Sequence, residues 1–206
     1  MTAGPAAAPG PVHDLVLVRH GRTAWAHSGQ HTGLTDVPLD EVGEQQGAGI
    51  AALLEGRRFV AVVASPLQRA YRTAELAGLV VTAVDPDLME WDYGVYEGLT
   101  TPQIRERTHP GWTVFGDGVT AGTDAGETIE QVAARTRAVL ERVAPERARG
   151  DVALVAHGHL LRVLAATYLG LDPHVGAHLE LDPASVSELN SHHGVPTIQR
   201  WNVTAP

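Results

Sequence analysis

Three short stretches each place a basic or nucleophilic side chain directly after an apolar run. They are Arg19-His20-Gly21-Arg22-Thr23 after Leu15–Val18, Ser65-Pro66-Leu67-Gln68-Arg69 after Phe59–Ala64, and His157-Gly158-His159 after Val152–Ala156. A neutral imidazole with a free nitrogen can attack phosphorus, forming a covalent phosphohistidine that splits hydrolysis into two steps. Arginine supplies a planar fork matched to phosphate oxygens. Positive neighbours spread transition-state charge and disfavour protonation of the attacking imidazole. Gly21 and Gly158 are expected to let the backbone come close to a ligand, with the following N–H groups free to meet an anion. A carboxylic acid must then protonate the leaving alkoxide. Glu90, in the segment Met89-Glu90-Trp91-Asp92-Tyr93-Gly94, follows a further apolar run at Leu79–Val84 and is the candidate.

Such residues meet only if the apolar runs are neighbouring strands ending at one edge, because open parallel sheets bind ligands beyond their carboxyl ends. The alternation of short β-rich runs with amphipathic stretches predicts an α/β fold, a three-layer sandwich with a mainly parallel central sheet. Helices are expected over Glu41–Glu55, closed by Gly56, from Ser65 as N-cap with Pro66 in the first turn, over Thr128–Val143, and over Leu160–Leu169. The stretch Ser185–Trp201 reads as two short strands around His193-Gly194. Residues 1–13, rich in Ala, Pro and Gly, read as a disordered tail and not a signal peptide, which points to a cytoplasmic protein. Residues 14–206 form one expected domain, with residues 100–126 as a surface excursion or lid.

Composition narrows the chemistry. The chain has 206 residues, no cysteine and no lysine, so all 15 basic side chains are arginine. That removes disulfides, thiolate–metal sites, cysteine nucleophiles, Schiff bases and lysine-bearing phosphate loops. A formal charge of −9 leaves no broad cationic field for nucleic acid or anionic lipid. No apolar run approaches the roughly 20 residues of a membrane-spanning helix. No cofactor is called for; the expected partner is a small phosphorylated metabolite, and a homo-oligomer stays open.

The motifs together resemble the histidine phosphatase superfamily, in its phosphoglycerate mutase-like branch. Arg19-His20-Gly21 is similar to the family's signature triplet, Ser65-Pro66 with Arg69 to its second arginine motif, Glu90–Gly94 to its general-acid segment, and His157-Gly158 to its second histidine. The likeness runs over Asp14–Trp201. It implies a phosphoglycerate mutase-like fold, His20 as the phosphorylated nucleophile, Glu90 as proton donor, and Arg19, Arg69 and His157 as the phosphate pocket. Thr32, Gly33, Tyr93 and Gly158 complete the implied substrate-binding set. The subgroup most resembled contains sugar bisphosphatases and broad acid phosphatases. Two positions depart from the family pattern: Arg22 stands where an acid is usual, and Ala26 where many members carry Asn or Ser.

Three other readings compete. A mutase would carry a lysine where this chain has Thr101, and an adjacent arginine pair that is missing here. A metal hydrolase would use His157 and His159 as a ligand pair, but the nearby carboxylates Asp14 and Asp151 flank the wrong strand ends. A phospho-ligand binding module without turnover would have lost its nucleophile or acid, and both are present. Arg22, Arg105 and Arg107 are candidates to grip a second phosphate. Trp25, Trp91, Tyr93 and Trp112 are expected to serve packing ahead of sugar stacking.

Overall fold

Successive side chains of a strand face opposite ways, so a run that is apolar throughout needs cover on both sides. The computed structural model, which describes residues 13–119 and 125–206, provides that cover. In chain order the elements are β1 (Leu15–Arg19), α1 (Ala24–Ser28), α2 (Glu41–Leu53), β2 (Phe59–Ala64), α3 (Gln68–Leu76) and β3 (Ala83–Val84). They are followed by α4 (Thr101–Arg107), α5 (Val114–Asp117), α6 (Ile129–Arg147), β4 (Asp151–Ala156), α7 (Gly158–Tyr168), β5 (Val186–His192) and β6 (Val195–Val203). The sheet order is β3-β2-β4-β1-β5-β6. The first four of these strands run parallel, β5 pairs antiparallel with β1, and β6 pairs antiparallel with β5.

Leu15, Leu17, Val63, Leu154 and Ala156 turn to one face and pack with Val132 and Val139 of α6 and Leu160 and Leu164 of α7. Val16, Val18, Val62 and Val155 turn to the other and pack with Ile50 of α2 and Ala70 and Ala74 of α3. This is the expected three-layer sandwich, and β4 and β1 hold its centre. α6 starts at a capping box in which Thr128 and Gln131 satisfy each other's backbone N–H groups. The β5–β6 hairpin turns through His193 and Gly194, both at positive φ of 52° and 80°.

Three local expectations are corrected, and a fourth lies mostly outside the described residues. Ser65 is not a helix N-cap: α3 begins at Gln68, with Leu67 as its cap, because the Ser65 hydroxyl is engaged by a histidine described below. The strand expected over Leu79–Val84 shrinks to two residues at the sheet edge, where Val80 is 80% exposed and no strand among the described residues pairs with the outer side. The stretch expected as a surface excursion contributes Ile104, Trp112, Val114, Phe115 and Val119 to the same core as α6 and α7; residues 120–124 lie outside the described residues. Most of the expected tail, residues 1–12, also lies outside them, but His13 is tied in, its N–H donating to Arg147 and its carbonyl accepting from the Arg147 guanidinium. Among the described residues no helix is long and apolar enough to cross a membrane.

Candidate active site

The carboxyl ends of β2, β4 and β1 lie side by side, so the three chemistry-bearing stretches converge as the sequence requires. His20 follows the last ladder residue of β1. Its N–H donates to Ala156 and its carbonyl accepts from Ala184, both at 3.0 Å, so the backbone is held from both neighbouring strand ends. The ring Nδ1–H donates to the Gly21 carbonyl at 2.7 Å, which leaves Nε2 as a free lone pair. Burial, then the charges of Arg69 and Arg19, hold this imidazole well below the ordinary histidine value, so it stays neutral.

Gly21 serves a different purpose from the one expected. A Cβ there would sit 2.3 Å from the Gly43 carbonyl oxygen, and one on Gly43 would sit 2.0 Å from the Arg22 carbonyl oxygen. The loop after β1 and the start of α2 therefore touch backbone to backbone, and the glycine serves that packing instead of a ligand. Gly158 does face the site: its missing side chain makes room for the Arg19 guanidinium, whose carbon lies 3.1 Å from where a Cβ would be.

Arg19 is half-buried, and the loss of water around its guanidinium lowers its proton affinity. One terminal nitrogen donates to the Leu181 carbonyl, while its Nε is buried without any partner. A guanidinium with an unused donor is an incomplete site that an anion would complete. Arg69, fully buried, is instead almost fully employed. Its Nε donates to His157 Nδ1 at 3.1 Å and its terminal nitrogens donate to the carbonyls of Thr32, Gly33 and Thr35. His157 passes its other N–H to Ser65 Oγ at 2.8 Å and meets the His20 ring edge-on at a centroid distance of 5.1 Å. Burial, then Arg69, keep His157 neutral as well. With both of its nitrogens committed, His157 has none to offer the proposed metal pair.

Glu90 is held by the start of α7. Its Oε1 accepts from the N–H groups of Trp91 and Leu160 at 2.9 and 2.8 Å, and its Oε2 accepts from His159 N–H at 3.0 Å. Two of these are orphan first-turn donors of the helix, so the carboxylate caps it. Arg135 braces the segment by donating to the carbonyls of Asp87, Met89 and Glu90. Three of the carboxylate's four acceptor sites are taken, leaving one on Oε2 for proton exchange. The Tyr93 hydroxyl pairs with His159 Nδ1. Burial, followed by Glu90 and Glu97, pushes the Tyr93 phenol well above its ordinary value, while burial, followed by Arg162, pushes His159 well below its own. Both are neutral.

A cavity of about 170 Å³ is walled by Arg19, His20, Ala26, Gln30, Thr32, Glu90, Tyr93, Gly158, His159, Arg162 and Leu181. Of the sequence-derived set, Arg19, His20, Glu90, Thr32, Tyr93 and Gly158 form its walls; Arg69, His157 and Gly33 do not. Gly33 gives its N–H to Glu97 and its carbonyl to Arg69. Arg22 and Arg105, taken as candidates for a second phosphate, are occupied elsewhere, by Asp40 and by the Trp112 carbonyl, and Arg107 is an exposed residue of α4. Gln30, His159, Arg162 and Leu181 were missed or given another role. The missing signal was helical: once His157 is the N-cap of α7, His159 and Arg162 are three residues apart on one face. Trp91, Tyr93 and Trp112 are buried, as their packing role requires.

The chain is similar to known proteins over most of its length. The chain is 41% identical over 186 residues to a protein of Mycobacterium tuberculosis named acid phosphatase, covering 89% of each. It is 34% identical over 187 residues to sedoheptulose 1,7-bisphosphatase of Saccharomyces cerevisiae, covering 76% of this chain and 67% of that one. A solved structure of a functionally characterised Mycobacterium tuberculosis open reading frame superposes with a TM-score of 0.86 at 38% identity, covering 94% of this chain and 99% of the other. The family model for the histidine phosphatase superfamily (branch 1) matches residues 15–204. The chain therefore belongs to the histidine phosphatase superfamily, branch 1.

Proposed function

We propose that this protein is a metal-independent phosphatase that hydrolyses phosphomonoesters of small metabolites through a phosphohistidine at His20. The carrying observation is the His20 ring: neutral, with Nδ1–H spent on Gly21, and with Nε2 unprotonated at a cavity wall beside a guanidinium that has an unused donor. In the first step Nε2 bonds to phosphorus, the phosphorus–oxygen ester bond breaks, and the leaving oxygen takes a proton from Glu90. In the second, water bonds to phosphorus, Glu90 recovers a proton from it, and the phosphorus–nitrogen bond breaks with its electron pair returning to Nε2. Arg19 steadies the phosphoryl oxygens, Arg69 adds positive charge behind them, and the neutral His157, packed edge-on against the His20 ring, helps to fix that ring. Gly158 admits Arg19, Thr32 and Tyr93 bound the pocket, and Gly33 anchors Arg69.

The test is phosphate release from a panel of esters in EDTA, with acid quench for acid-labile phosphate on protein. Turnover should persist in the chelator, and His20→Ala should lose both signals, by about 10³-fold or more in rate. Turnover surviving in His20→Ala refutes the assignment. Glu90→Gln should slow esters of poor leaving groups by about 10²- to 10⁴-fold and p-nitrophenyl phosphate much less. Equal slowing would remove Glu90 from the role of acid. Phosphoglycerate interconversion faster than phosphate release would favour a mutase instead.

A further inference from the structure

The imidazole of His20 is aimed by a peptide group that lies outside the cavity walls. The Gly21 carbonyl accepts from His20 Nδ1–H at 2.7 Å, and the N–H at the other end of that same peptide, Arg22 N–H, donates to Gln46 Oε1 at 2.9 Å. Gln46 belongs to α2, none of whose residues lines the cavity. Because a peptide is planar, a side chain that holds its N–H also fixes the direction of its carbonyl. An N–H that donates makes the carbonyl of the same group a stronger acceptor. The preceding peptide is held separately. Gly21 N–H donates to Thr73 Oγ1 at 3.0 Å, and the buried Thr73 hydroxyl donates to the Arg69 carbonyl at 2.7 Å. The Arg22 carbonyl, in the following peptide, accepts from Asp40 N–H at 3.1 Å. Of these three contacts, only that of Gln46 acts on the peptide that the imidazole touches.

We propose that Gln46 is a positioning residue for the nucleophile: by accepting from Arg22 N–H it directs and strengthens the hydrogen bond that keeps the ring proton of His20 on Nδ1 and the lone pair on Nε2. The proposal rests on the phosphatase reading above and places part of the nucleophile's control in a helix outside the cavity. Without that acceptor the Gly21 carbonyl is a weaker partner, and the other tautomer gains population. In that tautomer Nε2 carries the hydrogen and cannot attack phosphorus. Arg19, which steadies the phosphoryl oxygens, is untouched, so the chemical step slows while binding is spared. The backbone contact between Gly43 and the loop after β1 keeps the loop seated when the Gln46 acceptor is removed.

The experiment reads the His20 ring nitrogens by NMR on the whole protein without substrate, the signals being identified by their loss in His20→Asn. Gln46→Met removes the acceptor at similar length, and Gln46→Glu keeps one. In Gln46→Met the two nitrogen signals should move towards each other, as exchange between tautomers requires. Its kcat should fall about 3- to 10-fold at unchanged KM, the contribution of one neutral hydrogen bond. Gln46→Glu, with a charged and stronger acceptor, should restore kcat and carry the Nδ1 proton resonance downfield of wild type. Unchanged His20 signals in Gln46→Met overturn the proposal, and so does a Gln46→Glu protein that loses as much kcat as Gln46→Met. If Gln46→Met does not fold, the Nδ1 proton resonance of Gln46→Glu decides, and one that stays at the wild-type position overturns the proposal. Because the ring signals need no turnover, they are independent of phosphate release, whose absence would count against the phosphatase reading alone.

Discussion

Acidification should destabilise this protein while His20, the proposed nucleophile, stays neutral. His20 and His157 are 5% and 0% exposed and neutral in the fold, both held well below the ordinary value of 6.5. Imidazoles that resist protonation when folded are protonated first in the unfolded chain, so stability is full above 6.5 and declines as pH falls through it. Between about pH 7.5 and about pH 5.5 each such group costs about 1.4 kcal/mol, from the proton uptake of an ordinary histidine in the unfolded chain alone. His159 is held down in the same way, so three groups give about 4 kcal/mol, a large share of the 5–15 kcal/mol typical of a domain. The result needs only that the native values lie below the window. Carboxylates with lowered values, such as Asp40 and Asp117, act at lower pH and leave this range clear. Urea titrations across the window, on wild type and on His20→Asn, provide the assay. The variant should show about 1.4 kcal/mol less acid loss. A wild-type stability that is flat or rises on acidification would refute the reasoning.

Three further outcomes follow from the same geometry. The value of kcat/KM should not fall as pH drops from about 6.5 to about 5.5, because Nε2 of His20 stays unprotonated while the ester gains monoanion near its own value of about 6; a loss tracking an ordinary histidine would contradict this. Gly21→Ala should destabilise by about 3 kcal/mol or more in urea, since neither backbone at that 2.3 Å contact can yield, whereas Gly158→Ala should mainly lower activity by crowding Arg19. Arg57 bridges Asp14, Asp151 and the buried Glu188, so Arg57→Met should cost about 3 kcal/mol, and a thermal midpoint unchanged from wild type would show the cluster to be dispensable.

Much of the site was legible because its residues sit at fixed offsets from apolar strands, and strand ends are readable from local pattern. Arg19, His20 and Gly158 are cases in which two adjacent residues carry both the element and the chemistry. What could not be read depends on contacts between distant segments. That Gly21 answers to Gly43, that Arg69 spends its donors on the carbonyls of Thr32, Gly33 and Thr35, and that Ser65 accepts a hydrogen bond from His157 are facts of tertiary approach, invisible to periodicity. The stretch around α4 and α5 failed for a related reason. Its Gly, Thr and Pro content spoke of surface, while Trp112 and Phe115 are buried by neighbours more than 15 residues away in sequence. Arg162 escaped because nothing in an apolar helix marks which of its turns borders a void.

Two of the three main-chain amides that grip Glu90 belong to residues 159 and 160, two and three places after the histidine that packs against His20. In the proposed reaction, proton delivery and phosphorus attack are thereby tied to a single helix start. Loops elsewhere around the rim can be rebuilt without altering that tie. A scaffold of this kind lets the molecule attached to the phosphoryl group vary while the reaction stays the same.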